Sequence, residues 1–473
     1  MRVRSWRSSA RVLIERAAVA AALLALLPPA AHGLIAAATG MKPPRVELPE
    51  RSTTRSWTRV RAGLREVYLE GPPEAIGASE SRLLRDRMIA DEARLWNDYE
   101  RYVPSWIVRV GIQDLSRLRY RHVDLGIPDA RRRELAAQSL AFEPDPFSRR
   151  MPTYHRMVFL HALYDIALSF EQSPVIGCST FALGPVMTRD GHAIVARAFD
   201  METDDALDSD KAVFLVREDG AIPFASVAWP GFVGVVTGMN LDGVFVAVHG
   251  GRAGEPRAEG MPVAFSLREV LERAHDTKQA VDILRAQEVM VSHIVFVADA
   301  HGHFAVIERA PGAPVYVHET EGSAATTNEF EGPLKSDPKN LQVRVATTSA
   351  ARARRIKQLL ARTAPGTGSA RRALDILRDH GCADDDRCAL GDRRSIDGLI
   401  ATHGVVADTT ERVLWVGAGP HLSGKFVGVD LRALLAPDHD PSSDPEPETM
   451  PEDPILADGR YAKAKTHENA EIR

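Results

Sequence analysis

Little in this chain suits a nucleic-acid partner. Aromatic residues make up only 6%, the net charge is −5, and no basic tract is longer than Arg131-Arg132-Arg133, so neither base stacking nor a phosphate-binding stripe has material to work with. Long apolar runs are also missing. The longest, Ala17 to Leu27, is about half of the roughly 20 residues that a bilayer-spanning helix takes. There is no internal repeat, no glycine-rich phosphate loop and no metal-ligand cluster beyond pairs. His161 and Asp165 sit one helical turn apart and His301 and His303 share a hairpin tip, but two ligands do not make a metal site. No cofactor is therefore expected. Cysteine is scarce as well: Cys178, Cys382 and Cys388 are the three present.

What is present reads in order from the N-terminus. Arg2, Arg4, Arg7 and Arg11 precede the apolar run, Pro28-Pro29 breaks it, and Ala31-His32-Gly33 offers a small-x-small cleavage site. That is the layout of an export signal over residues 1–33, with an uncleaved anchor continuing through Leu34 to Ala38 as the alternative. Export fits the cysteines. Cys382 and Cys388 flank Ala-Asp-Asp-Asp-Arg, a spacing that allows a small-loop disulfide in an oxidising compartment or, alternatively, two free thiols. Cys178 is then the odd thiol. Residues 34–60 are rich in proline and arginine and read as an extended linker. After Pro437 the chain turns to Asp, Pro, Ser and Glu, the composition of a disordered acidic tail over 437–473.

Between these ends, residues 61–177 are mainly helical in pattern, with a long helix from Ser79 to Tyr102 and an apolar helix from Met157 to Phe170. Beyond them come strands. Cys178 opens an alternating segment, Thr188-Arg189-Asp190-Gly191 turns the chain, and a second alternating segment runs from Ala193 to Phe199. Pairing of these two strands would return Arg197 and Asp200 to Cys178, where a guanidinium favours the thiolate. A small buried hydrophobe is the other use of such a cysteine. Further strands cover 211–217, 224–229, 233–238 and 243–249, followed by an amphipathic helix from Ser266 to Gln287. Asn240 reads as a turn residue. The pattern alone says α+β.

Gly177-Cys178 at a strand start, then Arg197-Ala-Phe-Asp200, resembles the N-terminal-nucleophile (Ntn) amide hydrolases. The nearest resemblance is to the acyl-coenzyme A:6-aminopenicillanic acid acyltransferase group, related to choloylglycine hydrolase and acid ceramidase. Gly238-Met239-Asn240-x-x-Gly243, Thr327-Asn328-x-Phe330 and Ser349-x-x-Arg352 add to it. The resemblance implies a four-layer αββα sandwich of two antiparallel sheets, with 61–177 as a helical pro-segment and 178–436 as the catalytic chain. It implies that the precursor cuts itself between Gly177 and Cys178. The freed α-amine, with a reference pKa of about 7.7–8.0, then acts as base to the Cys178 thiol. Arg197, Asp200 and Arg352 would flank the nucleophile, and Asn328 would aim its amide N–H2 at the scissile carbonyl. Where the family has an asparagine for the oxyanion, this chain has His249, whose imidazole N–H can serve instead.

The function expected is thus an exported, periplasmic or secreted, self-processing cysteine amidohydrolase or acyltransferase. It would act on a linear N-acyl amide through a thioester, its two chains staying associated and any membrane contact made through the N-terminal anchor. Two other classes stand beside it. One is an unprocessed cysteine hydrolase with His249 or His403 as base; the other is a non-catalytic envelope binding protein of the same fold.

Overall fold

The computed structural model describes residues 30–50, 55–169, 177–202, 205–384 and 388–471. Most of the export-signal segment and residues 170–176, just before the expected cut, lie outside them. Residues 30–38 form helix α1, and β1 (Trp57–Arg61) already belongs to a sheet, so the expected 34–60 linker is structured at both ends. β1 and β2 (Leu64–Gly71) make a hairpin. Its two-residue turn, Ala62-Gly63, has φ of 48° and 85°, the left-handed pair that matches strand twist.

Helices α2 (Pro73–Tyr102), α3 (Trp106–Arg119), α4 (Asp129–Ala141), α5 (Thr153–His161) and α6 (Leu163–Leu168) follow. Pro73 opens α2 at the position where a missing N–H costs nothing. Gly77 lets α2 lie directly on α4, since a Cβ there would meet the Glu134 carbonyl oxygen at 2.1 Å. The helix expected over 157–170 is broken at Ala162 into α5 and α6.

The strands β3 (Gly177–Leu183) and β4 (Ile194–Asp200) come next, then α7 (Ala206–Asp210), β5 (Ala212–Glu218), β6 (Phe224–Ala228), β7 (Thr237–Asn240) and β8 (Phe245–Gly250). The single helix expected over 266–287 is two, α8 (Val263–Arg273) and α9 (Thr277–Ala286). Asp276 starts the second by accepting the Gln279 N–H, a side-chain N-cap that ends one helix's claim on the backbone and begins another's. The remainder is β9 (His293–Ala298), β10 (Phe304–Arg309), β11 (Tyr316–Thr320), β12 (Ser323–Thr326), α10 (Pro338–Ala346), α11 (Ser349–Ala361), α12 (Ala370–Leu377), β13 (Ala401–Asp408), β14 (Val413–Gly417), β15 (Phe426–Asp430), α13 (Leu431–Leu434), β16 (Thr449–Met450), α14 (Pro454–Ala457) and α15 (Arg460–Glu471).

Two sheets result, a nine-stranded one ordered β1-β2-β5-β6-β7-β8-β9-β10-β11 and a seven-stranded one ordered β12-β3-β4-β13-β14-β15-β16. Strand alternation divides the core into three. Leu215, Val227, Phe245 and Phe296 of the first sheet meet Val195, Val405 and Val416 of the second between them. The outer face of the first sheet packs Val67, Phe214 and Val246 against α2, α4, α5 and α8. Phe181, Ala196 and Val406 pack outward against α11 and α12. The order is helix, sheet, sheet, helix, the α+β sandwich expected. One pairing departs from the antiparallel rule: β2 runs parallel to β5.

The tail expected to be disordered is placed in the structure. Met450 pairs with Phe426 at the edge of the second sheet, and Met450 and Ile455 are buried. A few apolar residues in a polar stretch suffice when an open strand edge is there to receive them.

Candidate active site

The site begins with strand register. Thr180 lies opposite Arg197, Cys178 opposite Phe199 and Gly177 opposite Asp200. Alternate residues of β3 face opposite ways, so while Phe181 and Leu183 point at the helices, Cys178 and Thr180 point between the sheets. Arg197 points the same way from β4, and its Nη2 is 3.7 Å from the Cys178 Sγ. The rest of this guanidinium is held by neutral groups: Nε donates to Thr237 Oγ1 at 2.8 Å, Nη2 to the Val248 carbonyl at 2.6 Å, and Nη1 faces His249 Nε2 at 3.1 Å. Cys178, Arg197 and His249 are all fully buried.

The other side of the cysteine is built by the segment after β12 and by the start of α11. Asn328 Oδ1 accepts the backbone N–H of Cys178 at 2.8 Å and also a bond from Arg352 Nη2 at 2.9 Å. Its Nδ2 donates to the Gly250 carbonyl at 2.9 Å. Arg352 Nη1 donates to the Cys178 carbonyl and to Ser179 Oγ. Asp200 closes the ring near Gly177, where a Cβ would lie 3.6 Å from its Oδ2. All six residues singled out from the sequence, Cys178, Arg197, Asp200, His249, Asn328 and Arg352, are therefore in one place. Asn328 presents a different atom from the one expected: its oxygen holds the nitrogen of Cys178.

Burial pushes the Cys178 thiol up, with Arg197 as the main opposing charge. Burial likewise raises Asp200 to about 7, opposed first by Arg352. Burial and then Arg197 and Arg352 hold His249 well below its ordinary value, so this imidazole is neutral. Its tautomer follows from its neighbour. A guanidinium can only donate, so Nε2 accepts from Arg197 and the proton sits on Nδ1. That Nδ1 is buried near the backbone of Cys178 and Thr327 but makes no well-formed hydrogen bond to either.

His403 behaves differently. Its Nε2 meets Thr237 Oγ1 at 2.9 Å and its ring stacks on Phe199 with centroids 5.0 Å apart. Among the described residues the thiol's hydrogen-bond partner is Arg197, and neither imidazole reaches it. Thr237, Thr180 and Ser349 had not been singled out for these roles. Ser349 accepts the Asn328 N–H at 3.0 Å, while Thr348 occupies the cap position of α11. A lone Thr or Ser in a strand or helix start carries no signal of its own.

The other pairs noted in the sequence are structural. His161 Nε2 accepts the Val233 N–H, and Asp165 accepts the N–H of Val263. Asn240 bonds the Leu271 and Ala274 carbonyls and the Val244 N–H. Cys382 and Cys388 are disulfide-bonded, with Cα atoms 5.5 Å apart. With Asp392 they are the group of metal-ligand type found among the described residues, and the disulfide uses both sulfurs.

Residues 186–383 match the family model described as acyl-coenzyme A:6-aminopenicillanic acid acyl-transferase. The resemblance read from the sequence is thereby borne out over this stretch, which begins after Cys178 and takes in Arg197, Asp200, His249, Asn328 and Arg352. No curated protein is significantly similar in sequence. Solved structures align with parts of the chain, the following three among them. An N-acylethanolamine-hydrolyzing acid amidase ortholog from Caenorhabditis elegans has 15% identity and a TM-score of 0.37, over 49% of this chain and 93% of its own. Penicillin V acylase from Agrobacterium tumefaciens has 16% identity and a TM-score of 0.35, over 54% and 91%. A mutant of conjugated bile acid hydrolase from Clostridium perfringens has 12% and 0.36, over 58% and 96%. At such identities and TM-scores, none of them speaks to what this chain acts on.

Proposed function

We propose that the chain is an exported, self-processing Ntn-type cysteine enzyme that hydrolyses or transfers the acyl group of a linear amide. The coarse class, acyl chemistry at a C–N bond, is supported by the family match. The finer reading rests on one observation: the backbone nitrogen of Cys178 is gripped by Asn328 while its thiol faces Arg197. Any buried backbone N–H needs a partner; here the partner is a side-chain amide that Arg352 also holds, so one network grips both the nitrogen and the carbonyl of Cys178.

In this reading Cys178 Sγ attacks the Gly177 carbonyl carbon. The C–S bond forms, the Gly177–Cys178 C–N bond breaks as its nitrogen takes up the thiol proton, and water then hydrolyses the thioester. The freed α-amine stays on Asn328 Oδ1 and takes the thiol proton when an external amide arrives. Attack on that amide puts negative charge on its oxygen, to be met by the Nδ1–H of His249. The amine leaves with a proton, and water or an acyl acceptor resolves the thioester. Arg197 lowers the cost of the thiolate, and Asp200, beside Gly177, holds the α-ammonium form.

The purified protein should run as two chains on a denaturing gel, the second beginning Cys-Ser-Thr-Phe by Edman sequencing. Cys178→Ala should remain a single inactive chain. An active enzyme with an intact Gly177–Cys178 bond would falsify self-processing.

A further inference from the structure

Helix α3 is turned inside out. Its buried residues are Asp114 and Arg117, whereas Ile107, Val108, Ile112, Leu115 and Leu118 are exposed, Leu115 by 68%. At 100° per residue these five fall on one face, so the stripe is a designed surface and not scatter. A soluble monomer rarely shows water such a face without using it.

The exposed charges beside the stripe have one sign. Arg109, Ser116 and Arg119 lie along one edge of it, Asp114 lies along the other, and Arg121 follows the helix. Asp114, the one acid on α3, is turned inward and bonded to His32 Nδ1 at 2.8 Å. A chain of net charge −5 thus keeps this corner free of exposed acid on the helix itself. Trp106, at the N-terminal end of α3, is 59% exposed, and Tyr102 just before it 74%; both are residue types that settle where lipid headgroups meet acyl chains.

His32 adds position. It ties α1 to α3, and in sequence α1 directly follows Pro28-Pro29 and the apolar run Ala17 to Leu27, which itself follows Arg2, Arg4, Arg7 and Arg11. The described chain thus begins, at α1, beside α3.

We propose that α3 lies flat on an anionic lipid bilayer, its apolar stripe among the upper acyl chains and its arginines at the headgroups. No helix among the described residues is long and apolar enough to cross a membrane, so this contact is interfacial. It does not depend on the cysteine chemistry.

Hydrogen exchange read by mass spectrometry on peptides covering residues 105–119 tests it, using the full chain with and without vesicles of phosphatidylcholine and phosphatidylglycerol at 3:1. Docking suppresses local opening of the helix, so exchange there should slow several-fold with vesicles and less with phosphatidylcholine alone. Ile107→Glu combined with Leu115→Glu, both at exposed positions that leave the fold intact by near-UV circular dichroism, should remove the protection. Unchanged exchange in α3 with vesicles present overturns the proposal, whether or not the protein sediments with them. So does protection that persists in the double variant. Protection already present without vesicles also overturns it: if it grows with protein concentration the occupant is a second copy, and if it does not the occupant is the chain's own residues 17–27.

Discussion

Buried arginines occur in two settings in this molecule, and the two treat them in opposite ways. On the outer face of the nine-stranded sheet Arg268 meets Glu134 at 2.9 Å, Glu218 at 3.0 Å and Glu272 at 2.7 Å, and Arg131 pairs with Glu134 and Glu218. These two cations face carboxylates, whereas Arg309, on the same face, is held by Ser266 and Gln287. Around Cys178, Arg197 and Arg352 have no carboxylate within ion-pair distance among the described residues; hydroxyls, carbonyls, an amide, an imidazole and a thiol hold them instead. Neutral acceptors fix a guanidinium's position without cancelling its charge. The first arrangement spends its electrostatics on holding α4 and α8 to the sheet, and the second keeps a positive field for an anion that the reaction creates.

Exchanging methionine for one arginine of each kind should separate the two roles. Arg268→Met leaves Glu134 buried among like charges and is expected to cost about 3–5 kcal/mol of stability, read as a fall in urea midpoint, with little change in turnover of the enzyme that stays folded. Arg197→Met should lower kcat/KM by about 10²–10³, with the alkaline shift of the pH–rate profile that loss of thiolate stabilisation brings. A comparable loss of stability in both variants with no shift in the profile would break the comparison.

Asn328→Ala tests the neutral side of the site. Losing the acceptor on the Cys178 nitrogen should slow both self-cleavage and kcat by about 10² while KM stays within a few-fold. A tenfold rise in KM at unchanged kcat would make Asn328 a substrate-binding residue.

Smaller effects lie in pH dependence. Burial lowers His161 to about 4 and His293 to about 3. A depressed folded pKa means that each imidazole's contribution is fully present above about 6.5 and is lost as pH falls, roughly 2 kcal/mol per group between pH 6.5 and 5. The urea midpoint should drop over that window, and less steeply in His161→Gln. Asp200 has the opposite sign. Its carboxyl is raised to about 7, so its destabilising effect is absent below about pH 4 and grows as pH rises toward 7. Asp200→Asn should therefore raise Tm at pH 7–8 and leave it unchanged at pH 3.5, while removing an activity limb near pH 7.

The site was legible in the sequence wherever the backbone itself set the geometry. Cys178, Arg197 and Asp200 lie on two strands joined by a turn, and period-two alternation plus a turn dictates which of them meet. Asn328 and Arg352 were legible as motif residues, but the atom that Asn328 presents was not, because an amide has a donor and an acceptor end and only the surrounding groups choose between them. Thr237 and Thr180 come from different sheets, and nothing local marks them. In the fold, the layers followed from the order of helical and strand patterns. The split of 263–286 at Asp276 and the docking of Met450 on β15 did not, since one depends on a single cap and the other on an edge left open by the rest of the sheet.

The parallel ladder between β2 and β5 bears on the life history of the molecule. Its pairs run from Arg65 with Ala212 to Gly71 with Glu218, and they join the segment before Cys178 to the segment after it by backbone bonds inside one sheet. A cut at Gly177–Cys178 would leave those bonds untouched, so the fragments would travel as a single particle through any native separation. Once driven apart by denaturant they would no longer be one chain, and finding each other again would become a concentration-dependent encounter. Folding would then be an event that each molecule completes before the cut and cannot repeat alone.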